Sequence, residues 1–271
     1  MNFISALQAG RLIAQISSAG DPTSAGAKKA FDKLGKLGPA AIPKIQEALA
    51  GADKRSTVEY VEVLSSLIND KTLPVVVKGL AAADPRTVSG TAWALSSSRR
   101  YNPNRLVDLL SDDTYSKSAI VEVLAVHKDR LNVRQLLAQI YDLQPSEKTA
   151  VFRLIEEAAS PELVPELIAR MGGKDPIVRM HLINLLAKLG GDGVARAIQD
   201  QLKDNNKLVR QAALNGIARF KGDVDISVLC AMLLDADVEI INKAVDVIAK
   251  VNHPETVKYL LPALKDENEF S

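Results

Sequence analysis

The amino-acid sequence predicts an all-helical α-solenoid, a fold in which short helical hairpins stack side by side. An internal repeat leads to this prediction: within residues 175–220, Val178 and Val209 are 31 residues apart, and so are Arg179 and Arg210. Apolar residues inside each copy recur at helical spacing. A period of about 20 to 50 residues with this spacing is typical of solenoids, whose units bury their apolar faces against neighbouring units.

An opening hairpin is predicted over residues 1–38. Apolar residues at helical spacing up to Ile16 indicate its first helix, and a break at residues 17–22 follows. The second helix is expected at residues 24–37, because the Gly-Pro pair that comes next is a strong helix stop.

The repeats are predicted to fill residues 39–252, each with an outer helix A and an inner helix B. The last apolar residue of successive A helices recurs every 30 or 31 residues, which indicates seven to eight right-handed repeats and about 17 helices. These residues are Leu49, Leu80, Leu110, Ile140, Met171, Leu202, Leu233 and Leu264. The B helices are expected at residues 54–69, 85–98, 114–127, 146–159, 176–189, 206–220 and 237–251.

Prolines give a second set of markers for the helices. Most of them stand near a predicted helix start, where the missing N–H costs nothing. Pro43, Pro74 and Pro165 instead fall inside predicted A helices. We expect these three prolines to kink the A helices in which they lie.

The last segment, residues 253–271, is predicted to hold an A helix without a B partner. The apolar side of this helix would then be partly bare, whereas solenoids usually finish in a polar cap. We therefore expect either further repeats or another domain after residue 271, or contact of this face with another chain. Residues 1–271 are otherwise predicted to form one domain.

Composition restricts the function classes. The 34 Lys and Arg residues balance 33 Asp and Glu residues, which leaves a formal net charge of +1. Binding driven by nucleic-acid phosphates usually needs a strong basic excess, so this balance argues against it. Cys230 lies in an apolar run and is expected to fill core space. The N-terminus has neither a basic leader pattern nor the length to span a bilayer, which favours a cytoplasmic protein.

A recurring motif resembles a known repeat family. An A helix ends in Leu, an Asp or Asn turn follows, and then a Val-Arg pair, an Ala and a further Leu. This pattern is similar to the HEAT repeat, especially the short bacterial variety known from phycobilin lyases. The best copies begin at Asp175 and Asn206, and the likeness covers roughly residues 39–264. It weakens in the first four units, where Val58-Glu59 and Val88-Ser89 replace Val-Arg. The resemblance implies an architecture and a style of binding, but no activity, and no residue matches a motif for lyase chemistry.

Six cations follow the repeat at intervals of 31 residues, and we call them the cation row. They are Arg55, Arg86, Lys117, Lys148, Arg179 and Arg210. One interpretation is an electropositive stripe that faces a partner. The other, which HEAT similarity implies for Arg179 and Arg210, is that the cations reach turn aspartates and tie one repeat to the next. The offset of the cations from the nearest apolar residue drifts, and we expect them to spread over a sector of about 100°.

Trp93 is the second candidate for a binding role. It lies seven residues after Arg86, hence on the same helix face, and Arg99 and Arg100 follow it closely. An aromatic side chain in this setting could anchor a partner in a groove. A tryptophan is nevertheless more often core filler, and the sequence leaves both interpretations open.

Catalytic and metal-binding motifs are not found in the sequence. His127, His181 and His253 have no second ligand at helical spacing, so no metal site is expected. Nucleophile triads, phosphate-binding loops and dinucleotide motifs are missing as well. We therefore predict a protein without a cofactor that is not an enzyme.

The sequence thus favours a noncatalytic scaffold that binds a protein partner, which could be acidic, on a concave B-helix surface. The candidate contacts are Arg55, Arg86, Trp93, Arg99 and Arg100, together with Lys117, Lys148, Arg179 and Arg210. Two alternatives stay open: a nucleic-acid-binding or DNA-processing solenoid, and an enzyme-associated protein of the lyase type.

Overall fold

The computed structural model describes residues 3–220 and 224–266, and this part of the chain forms 17 α-helices and short 3-10 turns without a β-strand. The opening hairpin consists of α1 (Phe3–Ala19) and α2 (Ala25–Lys36). The B helices are α4 (Lys54–Leu67), α6 (Pro85–Ser97), α8 (Lys117–Val126), α10 (Pro145–Ala158), α12 (Pro176–Leu189), α14 (Lys207–Ile217) and α16 (Val238–Val251). The A helices are α3 (Ile42–Leu49), α5 (Leu73–Val76), α7 (Asn104–Val107), α9 (Val133–Gln139), α11 (Val164–Arg170), α13 (Val194–Asp200), α15 (Ile226–Ala231) and α17 (Thr256–Asp266).

The contacts divide the chain into two compact units, Met1–Ala158 and Ala159–Ser271. In the first unit, α2 packs on α4, α4 on α6, α6 on α8 and α8 on α10. In the second, α12 packs on α14 and α14 on α16. Within each unit, successive B helices therefore contact one another, which confirms the predicted α-solenoid. The handedness and the assignment of all residues to one domain stay predictions.

The B helices begin and end within three residues of their predicted bounds. Their starts are fixed by side-chain caps on the first turn. Asp53 accepts a hydrogen bond from the N–H of Ser56, and Asp84 accepts from the N–H groups of Arg86 and Thr87. A carboxylate at this position satisfies backbone donors that the helix itself leaves unpaired.

Apart from α17, the A helices are shorter than the B helices, and the prediction that prolines kink them in the middle was wrong. Pro43, Pro74 and Pro165 are each the second residue of their α-helix. A 3-10 turn precedes α3 and α11, so the helical pattern in the sequence starts before the α-helix does. Proline is tolerated in the first turn because the N–H that it lacks would have no partner there.

The repeat anchors form the core of each unit, as predicted. The buried ones are Leu49, Leu80, Leu110, Ile140, Met171 and Leu202. Leu233 is only half-buried and Met232 is buried beside it, while the side chain of Leu264 lies outside the described residues. Cys230 is buried, which agrees with its predicted core role, and this burial raises the pKa of its thiol.

No helix within the described residues is long and apolar enough to cross a membrane.

Candidate functional site

The structure divides the cation row into residues that face a neighbouring turn and residues that face solvent. Lys148, Arg179 and Arg210 are each the fourth residue of their B helix, whereas Arg55 and Arg86 are each the second. Two positions along a helix turn a side chain by about 200°. The two groups of cations therefore differ in their position relative to the helix start, and the expected sector of about 100° stays a prediction. The spacing of the cations stays at 31, but the B helices do not start at equal intervals, and the register changes between α6 and α10.

Arg179 and Arg210 make the same ion pair in two successive repeats. Arg179 donates to Asp204 through Nε at 2.7 Å and Nη2 at 3.0 Å, and Arg210 donates to Asp235 at 2.8 and 2.9 Å. Each arginine also donates through Nη1 to a turn carbonyl, that of Gly173 or Asp204. All four side chains of these pairs are at most 15% exposed. These contacts are the ones that the structural interpretation of the cation row predicts.

The other inward-facing cations are also engaged or buried. Lys117 pairs with Asp113 at 2.7 Å and with Glu147 at 3.4 Å, and the hydrogen bond that it donates to Asp113 is the main reason that its pKa is raised. Lys148 is buried. A role for these two lysines in partner binding stays a prediction, and their surroundings favour a structural role.

A groove between α4 and α6 brings together Arg86 and Trp93, two of the predicted contacts. It has a volume of about 810 Å³. Trp93 of α6 and Val58 of α4 line this groove, and each is 47% exposed. The exposure of Trp93 favours its interpretation as a groove residue over that of core filler. We call this feature the α4/α6 groove. Its lining residues are Ala52, Asp53, Lys54, Thr57, Val58, Pro85, Arg86, Ser89, Gly90 and Trp93.

The charge of the α4/α6 groove is set by two cations and by one carboxylate, which accepts a backbone hydrogen bond. Lys54 and Arg86 are exposed at its edge. Arg86 donates through Nη1 to the carbonyl of Ala50 at 3.3 Å, which holds its guanidinium at the edge of the groove. Asp53 caps α4, and the hydrogen bond from the Ser56 N–H lowers its pKa. The groove therefore offers two cations at its rim, whereas its carboxylate already accepts a backbone hydrogen bond.

The remaining predicted contacts lie outside this groove. Arg99 and Arg100 follow the C-terminal end of α6, and helix α6 is about 20 Å long. Arg99 forms an exposed ion pair with Asp129 at 3.1 Å, and Arg100 donates to the carbonyl of Ser65 at 3.4 Å. Arg55 is exposed but does not line the groove. The structure thus unites Arg86 with Trp93 and leaves these three arginines elsewhere.

Sequence reasoning missed Val58 and Lys54 as groove residues. Val58 was interpreted as an apolar anchor equivalent to Val178, yet Val178 is fully buried and Val58 is half-exposed. The buried face of α4 is formed instead by Tyr60, Val61 and Leu64. The sequence could have indicated this, because the helical spacing of Tyr60, Val61 and Leu64 places Val58 away from the core face of α4.

A second groove lies two repeats further along, between α8 and α10, with a volume of about 600 Å³. Lys117 contributes its only cation, and this lysine is already paired with Asp113 and Glu147. Glu122 adds a further carboxylate to the lining. This groove is therefore more acidic than the α4/α6 groove, and no half-exposed tryptophan stands in it.

The histidines are separate from both grooves. His127 is fully buried and donates through Nε2 to the carbonyl of Leu95 at 3.1 Å, while its Nδ1 has no partner among the described residues. Burial is the main reason that its pKa is lowered. In the described part of the chain, no three His, Cys, Asp or Glu side chains are grouped so that they could hold a metal ion.

Comparison with protein families identifies the repeats. Residues 133–218 and 164–245 match the family model of HEAT repeats. Residues 133–245 are HEAT repeats. This match confirms the resemblance drawn from the Val-Arg pattern, and it falls on the half of the chain where that pattern is strongest. It does not confirm the bacterial, phycobilin-lyase variety of the HEAT repeat.

Solved structures align with most of the chain at low identity. Human deoxyhypusine hydroxylase in complex with glycerol is 16% identical, with 92% of this chain and 98% of that chain covered and a TM-score of 0.36. A designed armadillo repeat protein is 15% identical, with 89% and 99% covered and a TM-score of 0.27. No curated protein matches the sequence. At these TM-scores the structural likenesses carry no argument about what this chain does.

Proposed function

We propose that this chain is a noncatalytic scaffold that binds a protein partner on its B-helix surface, in the cytoplasm. The observation that supports the proposal is the α4/α6 groove, where Val58 and Trp93 expose about half of their surface on adjacent helices. HEAT repeats provide the architecture for such a role, because each repeat presents its B helix to the same side.

Trp93 is the residue from which we expect most of the affinity. Tryptophan is enriched among the few interface residues that carry most of the binding energy, since it buries a large area and has few rotatable bonds. Its neighbours on α6, Ser89 and Gly90, are small and leave the indole accessible. A partner side chain that enters the α4/α6 groove would cover Trp93 and Val58 together.

The two alternatives predict different partners. A nucleic-acid-binding protein would need a basic surface that extends over several repeats, because each phosphate contact requires a cation. An enzyme-associated protein of the lyase type would need a pocket in which several polar groups converge on a small molecule. The α4/α6 groove has an apolar centre with cations only at its rim, which supports a protein partner in preference to both.

Affinity capture from cells with three forms of the chain tests this proposal. Trp93→Ala removes the groove anchor, and Val126→Ser is the matched control because Val126 is 48% exposed on α8, outside the groove. We expect a protein that the wild type and V126S retain, that W93A retains at least 10-fold less, and that persists after nuclease treatment. The purified partner should show the same order of Kd values.

Two results would count against the scaffold. Retention that nuclease treatment abolishes would support the nucleic-acid alternative. Equal retention by the wild type and W93A would show that the α4/α6 groove is not the binding surface. Melting temperatures separate loss of binding from loss of folding, and we expect W93A to melt within a few degrees of wild type because Trp93 is half-exposed.

A further inference from the structure

The α4/α6 groove differs from its surroundings in the sign of its charge. Lys54 and Arg86 stand at its rim, and its one carboxylate, Asp53, already accepts the N–H of Ser56. On one side, the groove between α2 and α4 contains Asp32, Glu59 and Glu62 as well as lysines. On the other, α8 carries Glu122. Of these three grooves, only the α4/α6 groove is lined by more cations than carboxylates.

We propose that the occupant of the α4/α6 groove is a protein segment in which an aliphatic or aromatic side chain is flanked by carboxylates. This inference rests on the proposed function and specifies its partner. The apolar side chain packs between Val58 and Trp93, and a neighbouring Asp or Glu pairs with Arg86 or Lys54. Arginine suits this role because its planar guanidinium can bind a carboxylate through two hydrogen bonds.

The size of the groove fits a short segment. Its volume of about 810 Å³ lies within the range of about 300 to 1,000 Å³ that is usual for ligand pockets. An apolar anchor alone would bind with little selectivity. The cations at the rim add specificity, since a basic segment would place like charges together and a neutral one would leave the cations without a partner.

A nucleic acid fits these charges less well. A single strand could stack a base on Trp93 and place one phosphate near Arg86. Its other phosphates would then meet the carboxylates on both sides, among them Glu62 on α4 and Glu122 on α8. One or two carboxylates in a peptide need only the local cations of the α4/α6 groove, so the peptide is the better match.

Selection from a displayed library of random 12-residue peptides tests the inference with the whole chain. Peptides are selected on the wild type after removal of those that bind W93A. Trp93 is the only tryptophan in the chain, so its emission reports directly on the α4/α6 groove. We expect the selected peptides to share an apolar residue within three positions of Asp or Glu, and to shift the emission of Trp93 on binding.

Charge reversal gives the second measurement. Arg86→Glu should weaken the selected peptide at least 10-fold, and replacement of the acidic residues of the peptide by Lys should restore part of the affinity for R86E. Arg219→Glu is the charge-matched control, because Arg219 is exposed in the turn after α14, in the second unit. This control should bind the original peptide as the wild type does.

Several outcomes would overturn the inference. In the selection, these are peptides without acidic residues, or a library that yields no peptide dependent on Trp93. In the charge-reversal measurement, it is an equal loss of affinity in R86E and R219E. Competition by a 20-nucleotide single strand, or self-association of the chain through Trp93, would also contradict the inference. If the cellular partner depends on Trp93 but carries no acidic flank, the scaffold stands and only this inference fails. If no protein depends on Trp93, the proposed function fails as well.

Discussion

At the scale of single residues, the paired arginines of the second unit explain why the repeat motif contains Arg after Val. Arg179 and Arg210 each reach the aspartate of the turn that precedes the next B helix, 25 residues ahead. That aspartate also accepts a backbone N–H, from Asn206 or Asp237. One side chain thus joins two adjacent turns, and the sequence spacing of these residues reflects this contact.

Removal of Arg210 should destabilise the second unit. Arg210→Met keeps most of the apolar stem but leaves Asp235 without its ion pair, and Asp235 is only 7% exposed. We expect a loss of roughly 3 kcal/mol in the free energy of unfolding, the magnitude typical when a buried ion pair loses one partner. Urea unfolding followed by circular dichroism measures it. Arg55→Met, at an exposed position, should change stability by less than about 0.5 kcal/mol. Equal losses in both variants would contradict the structural role of the pair.

Protonation of His127 should lower stability in acid. Its folded-state pKa lies below the ordinary value of 6.5, chiefly because it is buried, and Arg130 and Arg99 lower it further while Asp129 opposes them. The unfolded chain therefore takes up the proton first. The contribution of neutral His127 to the free energy of unfolding is complete above about pH 6.5. It is lost as the pH falls below that value towards the folded-state pKa.

Unfolding free energies at pH 7.5 and 5.5 test the role of His127. The wild type should lose up to about 1.4 kcal/mol more than His127→Gln between these two pH values. His253→Gln is the control, because His253 lies in the loop before α17 and is not buried. A pH dependence that H127Q leaves unchanged would show that His127 does not titrate with unfolding.

At the scale of the elements, close packing fixes where α6 lies, and with it the position of Trp93. A Cβ atom on Gly90 would come within 2.8 Å of Leu49 on α3, so α6 approaches this helix as nearly as a glycine permits. Gly79, in the 3-10 turn after α5, faces Thr91 of α6 and the amide of Gln46 in the same way. Gln46 in turn donates to the carbonyl of Val76 at 2.6 Å. These contacts hold one wall of the α4/α6 groove.

A methyl group at Gly79 should disturb this packing. In Gly79→Ala the new Cβ would overlap Thr91 Oγ1 and Gln46 Nε2, both of which are buried. We expect a loss of about 1 to 3 kcal/mol in unfolding free energy, as is usual for overpacking. Gly172→Ala is the matched control, since a Cβ there meets no atom within 4 Å. If G79A melts at the temperature of G172A, the packing of α6 is looser than described.

The elements were predictable from the sequence to different degrees. The B helices were predicted well because aspartate caps, prolines and apolar spacing all mark the same starts. The α4/α6 groove was predicted only through Arg86 and Trp93. Val58 escaped notice because the comparison of motifs aligned it with the buried Val178. In the structure, α4 is turned so that Tyr60, Val61 and Leu64 face the core instead. Rotation of a helix about its axis depends on its packing partners, which spacing alone does not reveal.

At the scale of the whole molecule, the near-neutral charge means that the proposed recognition of a partner must depend on local features of the surface. A formal net charge of +1 is spread over 34 cations and 33 anions, many of which pair within or between repeats. The inward-facing cations of the cation row contribute to the stacking of repeats. In the proposed function, recognition falls to exposed residues, among which Trp93, Val58 and Arg86 line one groove.

Hydroxyl-radical footprinting of the whole chain, with and without a saturating amount of the captured partner, tests the central claim most directly. Trp93 reacts readily with the radical and is half-exposed, so its oxidation reports on access to the α4/α6 groove. We predict that the partner lowers the oxidation of Trp93 and Val58 several-fold and leaves the exposed Tyr141 and Leu208 unchanged. Unchanged oxidation of Trp93 together with protection of Leu208 or other residues of the second unit would contradict the account.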